Sequence, residues 1–333
     1  MNLRSLEYFL VVTEEMSFSR AAERLFITQQ ALSSHIKRLE DEYDAVLFHR
    51  KPSLTLTQKG EELRYWANRI LSAEKNLRAN LYDIGTNCRG HIRLGIARLR
   101  ANRMMPEIMS RYSLVYPNVS IEVADGNTDV YQELLQDNKL DMYIGSNVGT
   151  RANEVDLRLV SEAIWACATP ELLERHLLES GRTLDQFLAE GADIRALPKI
   201  PLLVHQPSNR SRRDLDRYYY DAGIRPNVYF ECNSQPLLYD LAQRGMGMAF
   251  LSPIVLYSSW KETNGQLPNL CAFSLGKVLP KRDLSLVHHR DDPMPQYARD
   301  FIRVTQEVFA AYGRLLDFEE KFHGSQDNRS QEQ

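Results

Sequence analysis

Ser17-Phe18-Ser19-Arg20-Ala21-Ala22-Glu23-Arg24-Leu25-Phe26-Ile27-Thr28-Gln29-Gln30-Ala31-Leu32-Ser33-Ser34-His35-Ile36-Lys37-Arg38-Leu39 reads as two helices joined by a tight turn. Ser17 is an N-cap for a short helix from Phe18 to Leu25, and its Ala21-Ala22 pair lets another helix approach closely. Phe26-Ile27 makes the connection, and Thr28 caps a third helix to about Tyr43. Leu32, Ile36, Leu39 and Tyr43 fall on one apolar stripe at helical spacing. The opposite face carries Gln30, Ser34, Lys37 and Asp41, flanked by Ser33 and Arg38, with Gln29 in the first turn. A helix with one packing face and one face of short polar and basic side chains suits the DNA major groove.

Working upstream, Leu3, Leu6, Phe9, Leu10 and Thr13 have the helical period, which predicts a first helix over 3–14. Downstream, short extended runs flank Lys51-Pro52-Ser53 and read as a small β-hairpin, the wing. Thr57 then caps a long helix from Gln58 to Ile84. Leu63, Ile70, Leu77 and Ile84 are seven apart, with Trp66 and Ala73 at the companion positions, so this helix is expected to dimerise as a short coiled coil. Packing on its own domain is the bland alternative; it is set aside because nothing else in the first 90 residues looks able to cover the stripe.

The 333-residue chain has about two domains' worth of sequence. With 41 basic and 44 acidic side chains it carries a net charge of −3, so a DNA-binding surface must come from local clustering. Such clustering exists between Ser17 and Arg38, where Arg20, Arg24, Lys37 and Arg38 face only Glu23, and around the wing at Arg50, Lys51 and Lys59. Composition is that of an ordinary globular protein, 43% hydrophobic and 26% charged, which excludes collagen, disulfide mini-scaffolds and global disorder. Cys88, Cys167, Cys232 and Cys271 are scattered and fit no metal or redox spacing. No export signal or membrane span is read, which with the free thiols points to the cytoplasm.

Beyond Gly85, Asn87 and Gly90 the texture changes to alternating strands and helices, beginning with a strand at His91–Ala97, which argues for parallel α/β layers. Late strands at Leu270–Leu275 and Asp283–His288 precede a last helix, Pro295–Leu316. This gives a DNA-binding domain over 1–60, a linker helix over 58–87, an α/β domain over 91–316 and a flexible tail over 319–333.

The segment Ser17–Leu25, with Gln29-Gln30-Ala31-Leu32-Ser33, Ile36-Lys37-Arg38-Leu39-Glu40, Leu47-Phe48-His49-Arg50, Leu56-Thr57 and Gly60, resembles the signature of the LysR-type transcriptional regulators. The likeness runs almost without gaps over 3–67 and more loosely to about 312, through Gly90–Gly95, Tyr116–Val119, Leu140–Gly145 and Gly245–Leu251. The family usually has Pro where Gln30 stands, Arg at Ser34 and Gly at Asp44. The resemblance implies an N-terminal all-α winged helix-turn-helix with a long linker helix. It also implies a C-terminal α/β effector domain of two Rossmann-like subdomains, resembling periplasmic binding proteins, between which the chain crosses twice. These are expected at 91–163 with 270–316, and at 164–269. A homotetramer on an interrupted palindrome near a promoter, with RNA polymerase as a further partner, is implied too.

DNA contacts are expected from Arg20, Gln29, Gln30, Ser33, Ser34, Lys37, Arg38, Arg50 and Lys51, and dimer contacts from Leu63, Trp66, Ile70, Leu77 and Ile84. A small-molecule effector is expected where strands end and helices begin. The candidates are Arg98, Arg100, Ala101 and Asn102; Ser146 and Asn147; His205, Ser208 and Asn209; and Asn233 and Met248. Two arginines in the first group suggest an anionic effector, with pairing to neighbouring acids as the alternative. No catalytic constellation, cofactor motif or metal set is read, so the chain is not expected to be an enzyme. A solute-binding or sensor protein without a transcriptional role is the rival reading; it explains the C-terminal half but not the first 60 residues.

Overall fold

The computed structural model describes residues 2–50, 53–82, 88–146, 148–149, 151–178, 181–262, 269–290 and 294–316. Three helices open it: α1 (Leu3–Glu15), α2 (Phe18–Arg24) and α3 (Gln29–Glu42). Each has the side-chain cap that its sequence offers. Asn2 accepts from Arg4 N–H (3.0 Å), Ser17 from Arg20 N–H (3.4 Å) and Thr28 from Ala31 N–H (3.2 Å). Leu6, Phe9, Val12, Ala21, Ala22, Leu32, Ile36 and Leu39 form their shared core. Tyr43 leaves the expected stripe and is exposed, because α3 ends at Glu42. Asp44 takes the left-handed conformation (φ 45°) at the turn where the family usually has Gly.

The wing is β1 (Phe48–His49) paired antiparallel with β2 (Thr55–Leu56). Thr57 then caps α4 (Gln58–Tyr82) through Gly60 N–H at 2.9 Å. α1 lies along α4.

The rest folds into two five-stranded sheets. In the first, the order is β4 (Val119–Ala124), β3 (Gly90–Ile96), β5 (Met142–Ser146), β12 (Arg282–His289), β6 (Glu154–Glu162). In the second it is β11 (Cys271–Ser274), β7 (Trp165–Ala168), β10 (Met248–Leu251), β8 (Leu202–Val204), β9 (Val228–Glu231). Around the first sheet lie α5 (Arg98–Tyr112), α6 (Thr128–Gln136) and α12 (Gln296–Leu316). The helices of the second segment are α7 (Pro170–Leu177), α8 (Leu184–Ala189), α9 (Arg210–Asp221), α10 (Gln235–Gln243) and α11 (Pro253–Glu262).

Two expectations change here. The sheets are mixed rather than parallel: β12 runs antiparallel to both β5 and β6, and β7 to both β10 and β11. And β11 pairs with β7, so 271–274 belong to the second subdomain; the return crossing falls between Ser274 and Arg282 rather than before Leu270. The outward crossing is far shorter, from Glu162 to Trp165. The two crossings are tied together by the Leu275 N–H donating to the Ile164 carbonyl (2.8 Å).

Candidate nucleic-acid interface and effector cleft

Burial of Leu32, Ile36 and Leu39 turns the other side of α3 outward. Gln29, Gln30, Ser34, Lys37 and Arg38 are exposed and Ser33 is half-buried. Lys37 and Arg38 form no ion pair among the described residues, so their charge is available to phosphate. The Ser19 hydroxyl donates to Gln29 Oε1 (3.2 Å), which ties α2 to α3 and leaves the Gln29 amide N–H groups outward. Arg20 donates to the Glu15 carbonyl at 2.5 Å. Arg50 of the wing is held 3.5 Å from Glu40 and 5.6 Å from the centre of the Phe18 ring. Lys51 lies outside the described residues.

A residue the sequence reading passed over sits behind this surface. His35 shares a hydrogen bond with the Ser5 hydroxyl (2.9 Å) and stands edge-on to Tyr8 at 4.8 Å. Partial burial, then the charges of Arg38 and Arg4, push its pKa below the usual histidine range.

The α4 stripe divides. Leu63 and Ile70, with Ala67 and Leu71, pack against the three-helix core, so the expectation that nothing in the domain covers them is overturned: α1 does. Trp66 and Leu77 are 48% and 57% exposed, and Ala73 between them is exposed as well. At 100° per residue these three form a stripe of their own. Ile84 lies outside the described residues.

In the effector domain, Arg98, Arg100, Ala101 and Asn102 form the first turn of α5. The anion expected there is already present, and it is internal. Asp125, just after β4, accepts from Arg98 N–H (3.1 Å) and from Arg98 Nε (2.8 Å). Arg100 is paired as well: its guanidinium donates to Glu162 at 2.7 Å. That carboxylate, buried at the end of β6, also accepts from the hydroxyls of Tyr312 (3.1 Å) and Ser252 (3.3 Å). Burial opposes the Arg100 charge, but Glu162 outweighs it and holds the pKa above the usual arginine value. The alternative of pairing with acids therefore describes both arginines.

Ser146 ends β5 and its N–H donates to Thr128 Oγ1 (3.2 Å) at the start of α6. Asn147 lies outside the described residues. His205 is buried after β8, where it donates to the Cys232 carbonyl (3.3 Å), and burial pushes its pKa down. Asn209 caps α9 (2.8 Å to Ser211 N–H), with Ser208 exposed beside it. Asn233 is exposed and its side chain donates to Gln206 Oε1 (2.7 Å). Met248 is a correction: it is fully buried in the second subdomain's core and cannot contact a ligand. Sequence reasoning missed Glu162, Ser252 and Tyr312, and also Arg282, which donates to Ser211 (2.7 Å) and Asp214 (2.8 Å) across the return crossing.

A winged helix-turn-helix with a charged outward face, joined by a long helix to a two-sheet ligand-binding fold, defines a DNA-binding regulator with an effector domain. The chain belongs to the LysR family. A profile described as bacterial regulatory helix-turn-helix protein, lysR family, matches residues 3–61, and one described as LysR substrate binding domain matches residues 87–310. The HTH-type transcriptional regulator CfxR of Cupriavidus necator is 30% identical over 256 residues, 76% of each chain. CysL of Bacillus subtilis is 26% identical over 85% of this chain and 89% of its own. Among solved structures, ArgP from Mycobacterium tuberculosis superposes with a TM-score of 0.65 at 18% identity, over 92% of this chain and 96% of that one. Full-length LysG from Corynebacterium glutamicum with bound effector Arg gives 0.63 at 16% identity, covering 93% and 99%. CbnR complexed with its target DNA gives 0.53 at 16%, covering 92% and 100%. Among the described residues no helix is long and apolar enough to cross a membrane.

Proposed function

We propose that this regulator reads an interrupted palindrome near a promoter with Gln29, Gln30 and Ser33 of α3. Ser34 lies alongside, and Arg20, Lys37, Arg38, Arg50 and Lys51 supply phosphate contacts. The outward face of α3 carries the reading: glutamine amides in the first turn suit adenine edges, and cations further along suit the backbone. Two chains pair through the Trp66, Ala73 and Leu77 stripe of α4, and pairs associate into a homotetramer able to meet RNA polymerase. A small polar effector between the two sheets sets the activity; a bound effector in LysG and bound DNA in CbnR support both halves of this reading by likeness of fold.

The effector is a small anion, and it enters by taking the place of Asp125. That carboxylate occupies the α5 N-terminus, which supports an anion as the ligand of this position. The Arg98–Asp125 pair is solvent-exposed and costs little to break, ~0–1 kcal/mol. Arg100 is committed to Glu162 and takes no part.

Gel shifts of the full-length chain on its own upstream DNA test the first half. Gln30→Ala should cost about 1–3 kcal/mol at the cognate site and relax its preference. Lys37→Ala should weaken all sequences alike and flatten the salt dependence. Unchanged preference in Gln30→Ala would overturn the assignment of that residue. For the effector, isothermal titration of small organic acids should show binding that Arg98→Ala weakens; full affinity in that variant, or a cationic effector, would defeat the anion reading alone.

A further inference from the structure

The turn between α2 and α3 carries an aromatic side chain for which the domain has no structural use. Phe26 is 96% exposed, more than any other described large hydrophobic residue, and it stays out of the core that takes both its neighbours, Leu25 and Ile27. It follows the C-cap of α2 and has φ +55°. Its N–H donates to the Glu23 carbonyl (3.1 Å), and the Ile27 N–H donates to the Ala22 carbonyl (3.0 Å). These crossed bonds close a helix through a left-handed residue, a place that favours glycine or asparagine. Phenylalanine is disfavoured there twice, by the backbone and by a ring left in water. An outlier of this kind, held at the surface, points to a function outside the fold.

The site next to it is the DNA reader. Thr28, two residues on, caps α3, and Gln29 and Gln30 open it. Apart from the methyl groups of Thr28 and Ala31, the exposed side chains of that first part of α3 are polar or charged. Thymine alone among the bases presents an apolar group, its 5-methyl, in the major groove.

We propose that Phe26 is a specificity-determining residue for DNA, its ring packing on the 5-methyl group of a thymine at the edge of each half-site. The proposal rests on the DNA-reading role of α3 given above. A duplex selected from a random-sequence pool by the full-length wild-type chain serves as the probe. Each thymine in it is replaced in turn by uracil, which lacks only the methyl. One thymine per half-site should then weaken wild-type binding about five- to tenfold when replaced. Phe26→Asn, which keeps a residue suited to the left-handed turn, should weaken binding to the thymine duplex by the same factor. At that position it should bind thymine and uracil duplexes equally. Its melting temperature should rise, which separates a lost contact from a lost fold; a fall would give the ring a structural role and overturn the proposal. Uracil effects identical in wild type and Phe26→Asn at every position would also overturn it. So would undiminished binding by Phe26→Asn, the result expected if the ring instead meets a protein such as RNA polymerase. A wild-type chain that selects no duplex at all would remove the DNA-reading role itself, and this proposal with it.

Discussion

Replacing Arg100 by Met removes the cation from a carboxylate that has nowhere to go. Glu162 is 4% exposed and, among the described residues, keeps the Tyr312 and Ser252 hydroxyls, at 3.1 and 3.3 Å. Stranding one partner of a buried pair costs ~3–5 kcal/mol, and two neutral hydrogen bonds of modest net worth recover little of it. For an α/β domain of this size the melting temperature should fall by on the order of 10 °C. Arg98→Ala, which breaks an exposed pair, should lower stability by only ~0–1 kcal/mol, a fall in melting temperature of no more than about 4 °C. The double variant Arg100→Met with Glu162→Gln removes both charges and should recover most of the loss, since a buried pair is worth little more than neutral groups of similar shape. Differential scanning calorimetry of the four proteins measures this directly. Equal melting temperatures for Arg100→Met and Arg98→Ala, or a double variant no better than the single, would refute the view that Glu162 needs Arg100.

Two further outcomes follow from the DNA-binding domain. His35 has a pKa below its unfolded value, so the folded domain has its full stability above about pH 6.5 and loses it as pH falls through the folded pKa. Urea melts at pH 7.5 and 5.5 should show that loss in wild type and a smaller one in His35→Gln; equal slopes would remove His35 as the cause. On α4, Leu77→Glu should leave a folded chain that sediments as a weaker dimer, whereas Leu63→Glu should unfold the N-terminal core; a Leu77→Glu chain dimerising normally would exclude the outward stripe as the interface.

How much of this was legible in the sequence depends on how far each interaction reaches along the chain. The N-terminal domain was almost fully readable, because caps at Ser17, Thr28 and Thr57 act over three residues and the α3 stripe over a few turns. β6 also left a local trace, the alternation Val155, Leu157, Leu159, which went unread beside its charged neighbours. The partners of the two arginines left none: Asp125 is 27 residues from Arg98, and Glu162 is 62 from Arg100. Spacing shows that a strand exists but not which sheet receives it, and so β11 was placed with the wrong subdomain. For α4, a heptad pattern cannot distinguish a partner helix from α1, and α1 covers Leu63 and Ile70 while Trp66 and Leu77 stay exposed.

The unequal crossings make the chain's tolerance to insertion lopsided. Between Glu162 and Trp165 the backbone has two residues in which to leave one sheet and enter the other, whereas the return has seven between Ser274 and Arg282. One residue added to the short span, if taken up by β7, would invert that strand's side-chain alternation, sending Trp165 and Cys167 to the face that now holds Ala166 and Ala168. The longer span, with Val278 at its surface, can absorb added length without disturbing either register. Length variation among descendants of this sequence should therefore accumulate in the return and not in the outward crossing, leaving a fixed pivot beside an adjustable tether.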